Sequence, residues 1–265
     1  MHLKLPFAAF RILCGAGALI GLLATGAGAA WGGMPETIER VKPSIVAVGT
    51  FQKTRSPAFA FRGTGFVVGD GTLIATNAHV LPDSLQTDKL ESIVVMTAGV
   101  EGRGPQPREA KTVAIDRQHD LALLRVSGTP LPALRLGNPA DVREGQTHAF
   151  TGFPIGSVLG FFPVTHRGMI ASITPIALPG VTSQQLDERL IRRLQSGAFP
   201  VFQLDATAYP GNSGSPLYDI ETGAVIGIIN MVFVKGTKES ALSQPSGISF
   251  AVPVQFLQEL LRTTN

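Results

Sequence analysis

The chain has one cysteine in 265 residues, at position 14. That excludes an intrachain disulfide framework and a cysteine-ligated metal site. Charge is also scarce: 15% of residues are Asp, Glu, Lys or Arg, and the net charge is +3. A nucleic-acid binder presents a basic patch, and this excess is too small to build one. No period of 20–50 residues recurs, which excludes a solenoid or propeller array. No group of His, Asp and Glu has a ligand spacing, so neither a metal nor an organic cofactor is implied. Long apolar runs are missing everywhere except at the start of the chain.

That first segment reads as an address. Lys4 and Arg11 precede an apolar run from Ile12 to Leu23, and Ala27-Gly28-Ala29 follows with small residues at cleavage-site spacing. Residues 1–29 are expected to be a signal peptide and the body to be exported, periplasmic or secreted. The alternative is a retained inner-membrane anchor through residues 12–30, a run close to the length of a membrane span. Cys14 precedes most of the apolar run, which argues against lipid attachment there. Removing residues 1–29 takes away Lys4, Arg11 and the cysteine, leaving 20 basic against 19 acidic residues, a net charge of +1.

What is abundant is glycine, 30 residues, and proline, 19. Together they predict many short strands and tight turns. Residues 36–42 read as a short helix leading into the strand "PSIVAVGTF". In "GTGFVVGDGTLIATNAHV" two apolar triplets flank Gly69-Asp70-Gly71, a hairpin signal. "SIVVMTA", "REAKTVAID" and "DLALLRV" follow as strands, and residues 127–141 read as a linker. "QTHAFTGF", "HRGMIASITPI", "VFQLDA", "SPLYD", "AVIGIINMVF" and "GISFAVP" supply strands in the second half. "SQQLDERLIRRLQS" (183–196) has Leu186, Leu190, Ile191 and Leu194 at helical spacing, Ser183 as cap and Gly197 as stop, so a short inserted helix is expected. Val254, Leu257, Leu260 and Leu261 mark one face of a closing helix. Short strands in two halves predict an all-β chain of two barrels or a sandwich pair, with a ligand in the crevice between them. The expected boundaries are residues 36–135 for the first barrel, 140–253 for the second and 254–263 for the helix.

The sharpest local signal is "ATAYPGNSGSPLYD" (206–219), one serine among glycines and prolines. A serine hydroxyl attacks only when a base takes its proton. Histidine is the usual base, and a carboxylate must hold its ring. His79 stands where "LIATNAHV" runs out of a strand, and Asp120 opens the apolar run "DLALLRV". His2 falls in the leader, while His119, His148 and His166 have no comparable setting. The order His79, Asp120, Ser213 is one of the known chain orders for such a triad. Gly211 can take a positive φ, so that its N–H and that of Ser213 face one point, as an oxyanion hole requires.

"TNAHV", "HDLALL" and "PGNSGSPL" together resemble the chymotrypsin-like serine peptidases, above all their exported bacterial branch, the HtrA (Deg) proteases. The likeness runs from about Glu36 to the closing helix. It implies a chymotrypsin-like double β-barrel of twelve strands with His79 as general base, Asp120 as its orienter and Ser213 as nucleophile. Gly211 and Ser213 would supply the oxyanion hole. It places "GISFAVP", with Ile248 and Ser249, and "VIGIIN", with Ile228 and Ile229, on the walls of the primary specificity pocket, and Thr207 near its floor. Thr207 carries no charge and the isoleucines are apolar, so cleavage is expected after small or medium aliphatic residues, not after Lys or Arg. HtrA proteins usually carry a PDZ domain after the protease, whereas this sequence stops at Asn265, so regulation through such a domain is not carried over. Ser215 stands where HtrA members have glycine, and residues 175–199 fall where they keep an activation-sensing loop.

The reading is therefore a serine endopeptidase acting on protein or peptide substrates, in unfolded or exposed segments. HtrA relatives are often trimers, but no trimer signature is visible in this sequence. Two alternatives stay open: a non-catalytic protease-fold module that binds extended peptides by strand addition, and a protease whose oxyanion loop is collapsed at rest.

Overall fold

The apolar runs of the first half become six strands: β1 (Ile45–Phe51), β2 (Phe59–Val68), β3 (Leu73–Asn77), β4 (Ser92–Thr97), β5 (Gln106–Asp116) and β6 (Leu121–Val126). They are seen in a computed structural model that describes residues 33–97, 106–156, 160–175, 199–230 and 247–264. The strands close into a barrel in the order β1-β2-β3-β6-β5-β4. The second half supplies β7 (Thr147–Gly152), β8 (Val164–Pro175), β9 (Pro200–Asp205), β10 (Pro216–Asp219), β11 (Val225–Ile229) and β12 (Ile248–Pro253). These close in the order β10-β11-β12-β9-β8-β7. The chain is thus an all-β double barrel of the chymotrypsin-like kind. The segments expected to form a leader or membrane anchor (residues 1–30) and an inserted helix (183–196) lie outside the described residues. Among those described, no helix is long and apolar enough to cross a membrane.

β1, β3, β6 and β11 have almost no exposed residue because both of their faces are covered. In β6, Leu121 and Leu123 join one apolar cluster while Ala122, Leu124 and Val126 join another. β1 divides the same way, Ile45 and Ala47 against Val46 and Val48. This is the period-2 alternation of a strand, with one face in the first barrel's interior and the other on the neighbouring barrel. The shared cluster draws Phe66, Val68 and Ala75 from the first barrel and Phe153, Tyr218, Ile228 and Val252 from the second. At roughly 1.5–3 kcal/mol for each large apolar side chain buried, this seam is a principal bond between the barrels.

The β2–β3 hairpin follows the Gly69-Asp70-Gly71 signal. Both glycines have positive φ (63° and 86°), and the Asp70 carboxylate accepts from the backbone N–H and hydroxyl of Thr72. Helix α1 (Met34–Val41) docks on the second barrel through Thr37, whose hydroxyl donates to the Glu221 carbonyl at 3.1 Å. Helix α2 (Val254–Arg262) leaves β12 and packs back against β5 and β6 of the first barrel. It buries Val254, Leu257 and Leu260 as its spacing predicts, but Phe256 is its fourth buried residue and Leu261 is only half-buried. Phe256 turns inward because the ring of His119 stacks on it, with centroids 3.8 Å apart.

Candidate active site

β3 ends at Asn77, and a single 3-10 turn, Ala78–Val80, carries His79 off the end of the strand. Asp120 stands one residue before β6 with φ of 56°, in the left-handed region that Asp tolerates better than most residues. Its carbonyl is held there by Asn77 Nδ2 and by the Ala78 amide, both at 3.0 Å. The two ends that present His79 and Asp120 are therefore fastened directly to each other. Asp120 Oδ1 accepts from the His79 backbone N–H at 2.9 Å, and Oδ2 lies 2.6 Å from His79 Nδ1. With the carboxylate accepting from Nδ1–H, the neutral ring presents Nε2 as an acceptor. Nε2 lies 2.9 Å from Ser213 Oγ, across the crevice between the barrels.

A fourth residue joins this line. Asn230 follows β11, and its Nδ2 donates to Asp120 Oδ2 at 2.8 Å. It closes "VIGIIN", and nothing local marks it as part of the site. The only available signal was a polar residue at the exit of an apolar strand.

The loop that carries Ser213 is clearest when each peptide group is followed to its partner. The Pro210 carbonyl accepts from Ile155 N at 2.8 Å, the Asn212 carbonyl from Ser215 N at 3.0 Å and the Ser213 carbonyl from Thr64 N at 2.8 Å. The Gly211 carbonyl accepts from the Thr64 hydroxyl at 2.7 Å. The Asn212 amide donates to the Tyr209 carbonyl and the Gly214 amide to the Ile229 carbonyl. Between Pro210 and Ser215, the amides without a partner among the described residues are those of Gly211 and Ser213. In a trans peptide the N–H points opposite to the C=O. With the Pro210 carbonyl turned toward Ile155, the Gly211 N–H points away from Ile155. Gly211 has φ of 102°, and a Cβ there would meet the Phe153 carbonyl and, at 2.9 Å, the Phe61 ring. No other residue fits.

Ser215 fits because Gly152 makes room for it. A Cβ at Gly152 would meet Ser215 Oγ and approach Thr64 Oγ1 to 2.8 Å. The buried side chains of Asn212 and Ser215 over that glycine have no hydrogen-bond partner among the described residues.

The residues expected around the specificity pocket separate. Ser249 Oγ donates to the Ala206 carbonyl at 2.6 Å and accepts from Ala208 N at 2.9 Å. Fully buried, it fastens the bend that carries Thr207, which is half-buried. Ile228 and Ile229 are both buried and belong to different core clusters on opposite faces of β11. Ile248 is 47% exposed. Residues 231–246, which follow β11, lie outside the described residues.

Two closed six-stranded barrels, with a histidine and a carboxylate from one meeting a serine from the other, define a class: double-barrel proteins with a hydrogen-bonded Asp-His-Ser line between the barrels. Residues 63–228 match the family of the trypsin-like peptidase domain, and the chain belongs to that family. It is homologous to the DegP and HtrA serine proteases. A probable periplasmic serine endoprotease, DegP-like, of Pseudomonas fluorescens is 29% identical over 198 residues, covering 75% of this chain and 34% of that protein. The serine protease HTR4 of Bos taurus is 30% identical over 234 residues, covering 84% and 40%. The chain thus spans well under half the length of these curated relatives. Among solved structures, the HtrA-type protease AlgW with a tripeptide superposes with a TM-score of 0.61 at 24% identity, over 88% of this chain and 63% of that one. Deg5 superposes with a TM-score of 0.60 at 24% identity, over 85% and 90%. These two likenesses concern the fold.

Proposed function

We propose that the chain is an exported serine endopeptidase that hydrolyses peptide bonds in unfolded or exposed protein segments. The observation that carries this reading is the unbroken line Asp120 Oδ2, His79 Nδ1, His79 Nε2, Ser213 Oγ, with contacts of 2.6 and 2.9 Å. Ser213 Oγ attacks the scissile carbonyl carbon while its proton passes to His79 Nε2. Asp120 holds the ring and stabilises the imidazolium that forms. The carbonyl oxygen, now negative, is met by the N–H groups of Gly211 and Ser213. Collapse breaks the C–N bond, and His79 returns the proton to the departing amine. The ester on Ser213 is then cleaved by water, which His79 deprotonates in the same way. The reaction as written uses no metal or organic cofactor.

The uncharged Thr207, expected from the resemblance near the pocket floor, and the apolar, exposed Ile248 support a preference for aliphatic side chains over basic ones at the residue before the cut. The DegP-like relatives named as periplasmic support export.

The test is labelling by a fluorophosphonate probe together with cleavage of an unfolded protein. The chain should label without an added activator. Ser213→Ala should abolish labelling and lower turnover by roughly four to six orders of magnitude, with a nearly unchanged melting temperature. A wild-type chain that folds but neither labels nor cleaves would instead be a peptide-binding module.

A further inference from the structure

We propose that Thr64, in the first barrel, is a positioning residue for the oxyanion hole of the second, an inference that rests on the peptidase reading above. Thr64 lies in β2, is fully buried, and is itself fixed by the Thr76 hydroxyl, which donates to its carbonyl at 2.7 Å. Its backbone N–H donates to the Ser213 carbonyl at 2.8 Å. Its hydroxyl donates to the Gly211 carbonyl at 2.7 Å and accepts from the Phe153 N–H at 3.1 Å. One residue of the first barrel therefore holds a carbonyl of each residue whose amide faces the reacting oxygen.

The reason this bears on chemistry lies in the glycine. Gly211 has no side chain to resist rotation, so the Pro210–Gly211 peptide can turn over. That turn would put a carbonyl where an N–H donor is needed. Two anchors oppose it. One is the Ile155 N–H on the Pro210 carbonyl, and the other is the Thr64 hydroxyl on the Gly211 carbonyl. The same hydroxyl holds Phe153, two residues before Ile155, so it steadies both anchors at once. A β-branched residue suits the task, because its χ1 has few alternatives in a strand.

Thr64→Val keeps the shape and removes the hydroxyl, while the backbone bond to Ser213 remains. Removing one oxyanion donor outright costs about 100- to 1,000-fold in kcat. Loosening one should cost less, about 10- to 100-fold, with KM changed by less than about threefold. Fluorophosphonate labelling should slow in proportion. Thr64→Ser should return kcat to within about threefold of wild type, whereas a role in packing alone would spare Val, which keeps the shape, and impair Ser, which loses a methyl. If the Val variant does not fold, Thr64→Cys, close to Ser in shape but a weak donor, should lower kcat by about tenfold or more where Ser does not. An unchanged kcat in Val or Cys, a change in KM alone, or failure of Ser to rescue overturns the proposal. A wild type that neither cleaves nor labels overturns the peptidase reading and this inference with it. An active wild type with an unimpaired Val variant overturns this inference alone.

Discussion

The carboxylate of Asp120 receives three N–H donors: the backbone and ring of His79, and the side-chain amide of Asn230. The first two come from the group that Asp120 must orient. Asn230 comes from the other barrel and sets the carboxylate plane independently of the histidine. A hydrogen bond to a charged group contributes about 1.5–3 kcal/mol, and only the share expressed in the ring's orientation reaches the rate. Asn230→Ala should therefore lower kcat/KM by about tenfold, the equivalent of about 1.4 kcal/mol. Asn230→Asp should be worse, because it sets a second negative charge beside Asp120. Rates measured on a short peptide decide it: an Ala variant as fast as wild type would mean that the backbone grip on Asp120 suffices. Asn230 and Thr64 escaped the sequence reading for one reason. Their partners lie 110 and 147 residues away, and neither residue type is unusual for its strand. His79, Asp120 and Ser213 were legible because each stands at a strand end in a setting a plain β-strand does not need. The glycine at 211 was legible as well, since a turn alone does not require so many small residues.

At the scale of elements, strands were easier to find than the faces they present. "DLALLRV" reads as buried from its apolar run, but the run does not say that alternate residues serve different clusters. Ile228 and Ile229 show the cost of that ambiguity: as neighbours on β11 they must point opposite ways, so they cannot both form one pocket wall. Helix α2 shows it again, since spacing favoured Leu261 and packing chose Phe256. The choice matters because Phe256 stacks on His119, whose Nδ1 lies 2.6 Å from Asp116 Oδ2 and whose ring meets Phe199 edge-on at 4.7 Å. His119 is bonded directly to Asp120, which holds a left-handed φ. The closing helix thus braces the turn that presents the carboxylate. Phe256→Ala should cost about 3 kcal/mol in stability from the cavity alone, read as a denaturant midpoint shift at unchanged m-value. It should also lower kcat about threefold at a temperature where the variant is fully folded, through a looser His119–Asp120 turn. A stability loss with wild-type kcat would reduce the helix to packing.

For the whole molecule, the two-barrel plan follows from the sequence because the triad's order and the linker divide the chain in two. The apolar seam does not, since it joins Phe66 to residues such as Phe153 and Tyr218 that no local pattern connects. The second barrel also carries two histidines that the proposed chemistry does not use, and they set how the fold responds to acid. His148 on β7 is buried, and neither ring nitrogen has a hydrogen-bond partner among the described residues. His166 on β8 stacks on Phe150 with centroids 5.0 Å apart. Burial lowers the pKa of both, and for His148 the carboxylate of Asp219, its cross-strand neighbour, opposes that shift only in part. In the unfolded chain both rings titrate near the ordinary value of about 6.5. Below that pH the unfolded chain takes up protons that the folded rings refuse, so acid favours unfolding. The histidine contribution is fully present above about pH 6.5 and is lost as pH falls toward the lowered folded values. Glu91 acts in a separate window. Its carboxyl is held at about 2, first by the Gln86 backbone N–H and also by Arg55, so its contribution fades only below the ordinary carboxylate range. Melting temperatures taken from pH 7.5 down to 5 therefore isolate the histidines and should fall across that range. His148→Leu, apolar and of comparable size, should flatten the fall without lowering the melting temperature at pH 7.5. A curve as steep as wild type would place the acid sensitivity elsewhere in the fold.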